Sequence, residues 1–148
     1  MKNNTIFIPK KIIGEIISHS LNNDPNESCG VLQGSGMIVS KFYPLKNIHE
    51  NPQNRYTFDP VEHLNVEKKS DEEDEEIIGI FHSHTHTQAY LSETDVKNAL
   101  MSGYIQQIYI IVSLVEKTRP VLRAYRISDQ GDITEVIVDF DGPKYISR

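Results

Sequence analysis

The segment His82-Ser83-His84-Thr85-His86 carries the strongest chemical signal in the chain. It directly follows the apolar run Ile77-Ile78-Gly79-Ile80-Phe81. Along an extended backbone, residues i and i+2 point to the same side, so His82 and His84 reach one point together. Imidazole is a preferred zinc ligand, and a catalytic zinc commonly has three protein ligands and an open water position. The third ligand is expected from a neighbouring element. Asp95, eleven residues after His84, falls on the first turn of the next helix. A His-His-Asp site leaves the fourth position for water, whose pKa zinc lowers toward about 7. Polar termination of a strand would account for one histidine. It is the weaker account of a His-x-His pair followed by Ser92-x-x-Asp95.

The elements that must hold these side chains are legible in outline. Thr5 to Ile8 reads as a strand ended by Pro9, and a helix follows to about Leu21 on the spacing of Ile12, Ile13, Ile16 and Ile17. Cys29 to Gln33 and Met37 to Tyr43 read as a hairpin around Gly34-Ser35-Gly36. A polar loop runs from Lys46 to Asn54, and Tyr56 to Asp59 is extended. Pro60 opens a second helix to about Lys69. Ile77 to Phe81 is a strand of the kind buried on both faces. Thr87 to Leu91 is a loop, and Ser92 is a good N-cap for a third helix to about Met101. Ile108 to Leu114, Val121 to Ile127 and Ile133 to Val138 complete the strands. This order predicts an α/β domain with one central mixed sheet and helices on its faces.

Composition narrows the function classes. A chain of 148 residues is one domain, with a core expected over about 5–140 and a tail over 141–148. Its single cysteine excludes an internal disulfide framework and a Cys-only zinc knuckle. No stretch approaches the roughly 18–20 apolar residues that span a bilayer. The N-terminus has no apolar core of signal-peptide length, so a cytoplasmic location with a reduced thiol is expected. There is no basic stripe for nucleic acid. The net charge of −6 comes entirely from the six acids Asp71 to Glu76. That run, expected to be a solvated, flexible connection, lies about 15–20 Å from the metal at roughly 3.3 Å per residue. Docking of a basic partner surface is its alternative role.

At its chemical residues the sequence resembles the JAMM (MPN+) zinc metallopeptidases. Their signature is an upstream glutamate, then His-Ser/Thr-His, seven residues, Ser, two residues and Asp. Here His82-Ser83-His84 is followed by seven residues, Thr85 to Leu91, then Ser92, Glu93-Thr94 and Asp95. Glu27-Ser28-Cys29-Gly30-Val31-Leu32 supplies the upstream glutamate before a glycine and an apolar strand. The resemblance covers about Ile8 to Val138. It implies a curved mixed sheet in the three-layer, cytidine-deaminase-like arrangement. It also implies Zn2+ on His82, His84 and Asp95, with Glu27 as general base and then acid. Ser92 would donate to the oxyanion of the tetrahedral intermediate, unless its hydroxyl is committed to the helix cap. His86 is expected to be a loop residue near the site, with a substrate contact as the alternative. Cys29 is expected to pack in the core, and His19, His49 and His63 receive no role.

The same resemblance narrows the substrate. Family members cut amide or isopeptide bonds, often after the C-terminal Gly-Gly of a ubiquitin-like protein. Such a tail can bind extended along a sheet edge. The text around the site, with Tyr109 to Leu114 and Pro120 to Ile127, looks like the bacterial subgroup that hydrolyses a sulfur-carrier-protein–cysteine adduct in cysteine biosynthesis. In place of the typical proline before the signature serine stands Leu91. The first reading is therefore release of cysteine from a sulfur carrier through its Gly-Gly tail. An isopeptidase acting on another ubiquitin-like modifier, and a non-catalytic MPN scaffold, remain the alternatives. Arg55, ahead of Phe58-Asp59-Pro60, reads either as a partner for a substrate carboxylate or as a surface arginine. The oligomeric state is not readable from the sequence.

Overall fold

In the computed structural model, which describes residues 4–142, the apolar runs become seven strands and the amphipathic segments three helices. They are β1 (Thr5–Phe7), α1 (Lys10–Asn23), β2 (Cys29–Ser35), β3 (Ile38–Leu45), α2 (Pro60–Glu72), β4 (Glu76–His84), α3 (Glu93–Ser102), β5 (Ile108–Ser113), β6 (Val121–Ile127) and β7 (Ile133–Asp139). The sheet is mixed, as expected. Beyond residue 142 the expected tail lies outside the described residues.

Closure of the sheet into a barrel departs from the expected curved sheet. The strand order β1-β3-β2-β4-β5-β6-β7 closes into a barrel because β1 pairs in parallel with both β3 and β7. Phe7 N–H donates to the Met37 carbonyl at 2.8 Å on one edge, and Ile8 N–H to the Asp139 carbonyl at 2.9 Å on the other. A three-residue strand thus occupies both edges that would otherwise stay unpaired. Nothing local in Thr-Ile-Phe signals two partners so distant in the chain.

The two faces of the strands carry separate apolar clusters, and the alternation decides where the chemistry lies. Ile108, Ile110 and Val112 of β5 pack with Ile12 and Ile16 of α1 and with Phe81 of β4. Tyr109 and Ile111 pack on the other face with Ile80 of β4, Val66 of α2 and Ala99 of α3. Side chains alternate along a strand, so His82 and His84 share the face of Ile80. That is the face covered by α3, the helix that bears Asp95. The glycine of the upstream motif has a steric reason. A Cβ on Gly30 would lie 2.6 Å from the Tyr43 carbonyl oxygen and 2.7 Å from the Phe42 ring.

The acidic run is not the flexible connection expected of it. Asp71 and Glu72 end α2, Glu73 caps it and Glu76 opens β4. Asp74 makes the tight turn with φ 61°. The fully buried Gln33 of β2 donates through Nε2 to Glu73 at 2.8 Å and to Glu75 at 2.7 Å. Lys41 pairs with Glu73 at 2.7 Å, and Ser40 donates to Glu75 at 2.6 Å. These acids satisfy a buried amide and a facing lysine, and no composition argument reveals such partners.

Candidate metal centre and active site

Both candidate histidines lie inside β4 rather than beyond its end. The strand continues through His84 because its neighbours continue with it. His82 pairs with Ile111 and His84 with Ser113 of β5, while Cys29 of β2 stands opposite His82. Both imidazoles are buried. The Tyr56 ring stacks on His82 at 4.5 Å between centroids and 20° between planes. The His84 ring is oriented by a backbone carbonyl: Nδ1 lies 2.9 Å from Gln88 O. A carbonyl only accepts, so Nδ1 carries the proton and Nε2 presents its lone pair.

Asp95 reaches the same point from α3 through local chemistry. Ser92 Oγ accepts from Asp95 N–H at 3.1 Å, and Asp95 Oδ2 accepts from Ser92 N–H at 3.0 Å, forming a capping box. The box turns the carboxylate back toward β4. His82 Nε2 and His84 Nε2 lie 3.0 Å apart, and they lie 3.2 and 3.1 Å from Asp95 Oδ2. Burial opposes the charge on Asp95. The paired histidines and the Ser92 N–H outweigh it and hold the carboxyl well below the usual carboxylate range. Burial pulls the His84 pKa down, while Asp95 and the Gln88 carbonyl more than offset it, leaving it raised.

This donor set fits a divalent metal. Its three ligand atoms face one another in a near-equilateral triangle. A tetrahedral zinc about 2.0–2.1 Å from each ligand sets them about 3.3 Å apart, close to what is observed. Two imidazoles and one carboxylate are also the borderline ligand set zinc takes. His86, although next in the alternation, is exposed and outside the cluster, because the strand ends at His84.

Glu27 is not a solvated loop acid. It is 8% exposed and lines, with His84, Ser92, Asp95 and Arg55, a pocket of about 310 Å³. Burial pushes its pKa up, with His82, His84 and Arg55 pulling it partly back. A carboxyl raised in this way is closer to the neutral range where proton transfer works best. Two clasps set its position. Ser83, between the histidines, accepts from Ser28 N–H at 2.8 Å, and its own N–H donates to Ser28 O at 2.9 Å. On the other side Asn47 Nδ2 donates to Glu27 O at 2.9 Å and to Arg55 O at 3.0 Å.

The Ser92 cap leaves more open than expected. The cap engages a lone pair of Oγ, so the hydroxyl proton stays available for a second partner. Capping and donation therefore do not compete. Cys29 sits in the core, 3.6 Å from the Leu45 carbonyl, and burial pushes its thiol up to about 12. His19 packs against Phe42 and Phe81 with Nε2 3.0 Å from Cys29 O, a structural place away from the cluster. Asn47, Ser28 and Tyr56 are contributors to which the sequence reading gave no role at the site. Ser83, the partner of Ser28, did offer a signal, as a small polar residue in a buried strand.

The family model for prokaryotic homologues of the JAB domain matches residues 9–128. The chain belongs to that family. This bears out the JAMM/MPN+ resemblance, and the match spans all of the elements that build the site. Among curated relatives of this JAB-domain protein is the CysO-cysteine peptidase of Mycobacterium tuberculosis. It is 35% identical over 132 residues, covering 88% of this chain and 87% of the relative. A Thermus thermophilus protein named as a probable TtuB-protein conjugate cleaving protease is 31% identical over 94 residues, 64% of this chain and 63% of that one. A solution structure of a Desulfitobacterium hafniense protein superposes with TM-score 0.81 at 30% identity, covering 93% of this chain and 94% of that one. Among the described residues no helix is long and apolar enough to cross a membrane.

Proposed function

We propose that this JAB-domain protein is a zinc-dependent hydrolase. It cuts the amide bond after the C-terminal Gly-Gly of a small ubiquitin-like sulfur carrier and releases cysteine. The observation that carries this reading is the convergence of His82 Nε2, His84 Nε2 and Asp95 Oδ2, with His84 and Asp95 lining the same pocket as the buried Glu27. The relative named as a CysO-cysteine peptidase supports the substrate class. His82, His84 and Asp95 would hold the metal, which supplies Lewis-acid polarisation of water and of the scissile carbonyl.

The remaining steps belong to the protein's own side chains. Glu27 accepts a proton from the attacking water and returns one to the leaving amine as the C–N bond breaks. Ser92 O–H donates to the developing oxyanion while its lone pair keeps the cap. Tyr56 and the Gln88 carbonyl fix the two imidazoles, so little reorganisation is left for the reaction.

A second reading, an isopeptidase on another ubiquitin-like modifier, is favoured by the relative named for conjugate cleavage. A carrier–cysteine adduct and a ubiquitin-like isopeptide, followed by mass beside zinc analysis, separate the two. Stoichiometric zinc, cysteine release and its loss in Glu27→Ala are expected. A protein without zinc, or a Glu27→Ala variant with intact hydrolysis, overturns the mechanism. Cleavage of the isopeptide alone overturns the substrate.

A further inference from the structure

We infer that Arg55 is a specificity-determining residue that binds the α-carboxylate of the amino acid leaving the scissile amide. The inference rests on the proposed hydrolase reading and narrows its substrate class. The substrate then carries a single α-linked amino acid after Gly-Gly rather than an isopeptide-linked lysine.

The catalytic pocket has no apolar side chain in its lining. Glu27 and Asp95 are its carboxylates, and Arg55 is its guanidinium, flanked by the amides of Asn51 and Asn54. Arg55 acts on Glu27 electrostatically, lowering its pKa against the effect of burial. The side chain is exposed and donates from Nη1 to the Asn54 carbonyl at 3.0 Å. A guanidinium has five N–H donors in a planar fork, so most of its donors lie beyond that one bond. Among the described residues no carboxylate pairs with it within 4.0 Å. A charged fork facing a polar, anion-bearing pocket without its own counter-ion matches a carboxylate from the substrate.

The position of Arg55 is tied to the acid–base group. Asn47 Nδ2 donates to the carbonyls of both Glu27 and Arg55, and Glu27 N–H donates to Pro52 O at 2.7 Å. Arg55 N–H in turn donates to Asn51 O at 3.1 Å. The loop is therefore tied by hydrogen bonds to Glu27, which protonates the leaving nitrogen. In an α-amino acid the carboxylate carbon is about 2.5 Å from that nitrogen, two bonds away. In a lysine isopeptide the same region holds methylenes, which a polar, cationic wall does not favour.

The test uses peptides ending Gly-Gly-Cys as free acid and as carboxamide, which share one thiol and differ only in the group Arg55 reads. Cleavage is compared in zinc-loaded wild type, Arg55→Ala and Arg55→Lys. Binding is measured by calorimetry in Glu27→Ala with and without Arg55→Ala. A preference for the acid of about tenfold is expected in both kcat/KM and Kd. It should fall close to one in Arg55→Ala and be partly retained in Arg55→Lys, which keeps charge without the fork. A preference that survives Arg55→Ala overturns the inference, including the case where both peptides weaken equally. If wild type cleaves neither peptide, the reading as a hydrolase that releases cysteine from a Gly-Gly tail fails, and the binding ratio still decides the role of Arg55.

Discussion

Asn47 Nδ2 donates to the Glu27 carbonyl oxygen at 2.9 Å, and the same amide reaches the Arg55 carbonyl. One side chain thus joins the segment entering β2 to the loop that forms the opposite wall of the pocket.

Replacing that side chain should separate positioning from metal binding. In Asn47→Ala, two carbonyls lose their donor, costing about 1–3 kcal/mol of stability. Zinc content should stay stoichiometric, because His82, His84 and Asp95 are held by other partners. Hydrolysis should fall by about tenfold or more as Glu27 loses its fixed place. Metal analysis, thermal unfolding and kcat on the same preparation check this. Loss of zinc in this variant would contradict the assignment of Asn47 to Glu27 and its loop.

Ser92 caps α3, and the proposed mechanism adds donation to the oxyanion; Ser92→Ala removes both. Loss of the cap should lower stability by about 1 kcal/mol. Loss of the hydroxyl donor should lower kcat by roughly 10²–10³-fold. Denaturant unfolding reads the first and steady-state kinetics the second. A destabilised variant with unchanged kcat would leave Ser92 as a cap alone.

The acidic turn should make stability depend on acid pH. Lys41 and then Gln33 hold the Glu73 carboxyl below its ordinary value of 4.5, and Gln33 and Ser40 do the same for Glu75. A folded-state pKa below the unfolded one stabilises above the unfolded value. That contribution is lost as pH falls through the lower folded value. Glu73→Gln with Glu75→Gln should therefore lower the melting temperature at pH 7. The gap to wild type should close as pH drops below about 4. A gap that persists unchanged at low pH would show that the effect is packing rather than ionisation.

Particular residues show how far the sequence by itself reached. His82 and His84 were legible as a pair because strand alternation is a local property, and here it persists through a strand that continues three residues past its apolar run. Asp95 was legible because Ser92-x-x-Asp95 is a capping box, closed within one turn of helix. Both strand periodicity and helix capping act over a few residues, so spacing alone encodes them. The burial of Glu27, the closed barrel and the ordered acidic turn were not legible in that way. Glu27 is held through its backbone by Asn47 and Pro52, and its neighbour Ser28 by Ser83, all from separate segments, and burial raises its pKa. β1 closes the sheet only because β3 and β7 present edges on both sides of it. Glu73 and Glu75 are ordered by Gln33, Ser40 and Lys41, 32 to 42 residues earlier in the chain. Periodicity and capping thus decided which side chains converge in the His82, His84 and Asp95 cluster. Tertiary packing decided which acid is desolvated beside them and which cation stands across the cleft, because desolvation and pairing depend on neighbours that no local spacing records.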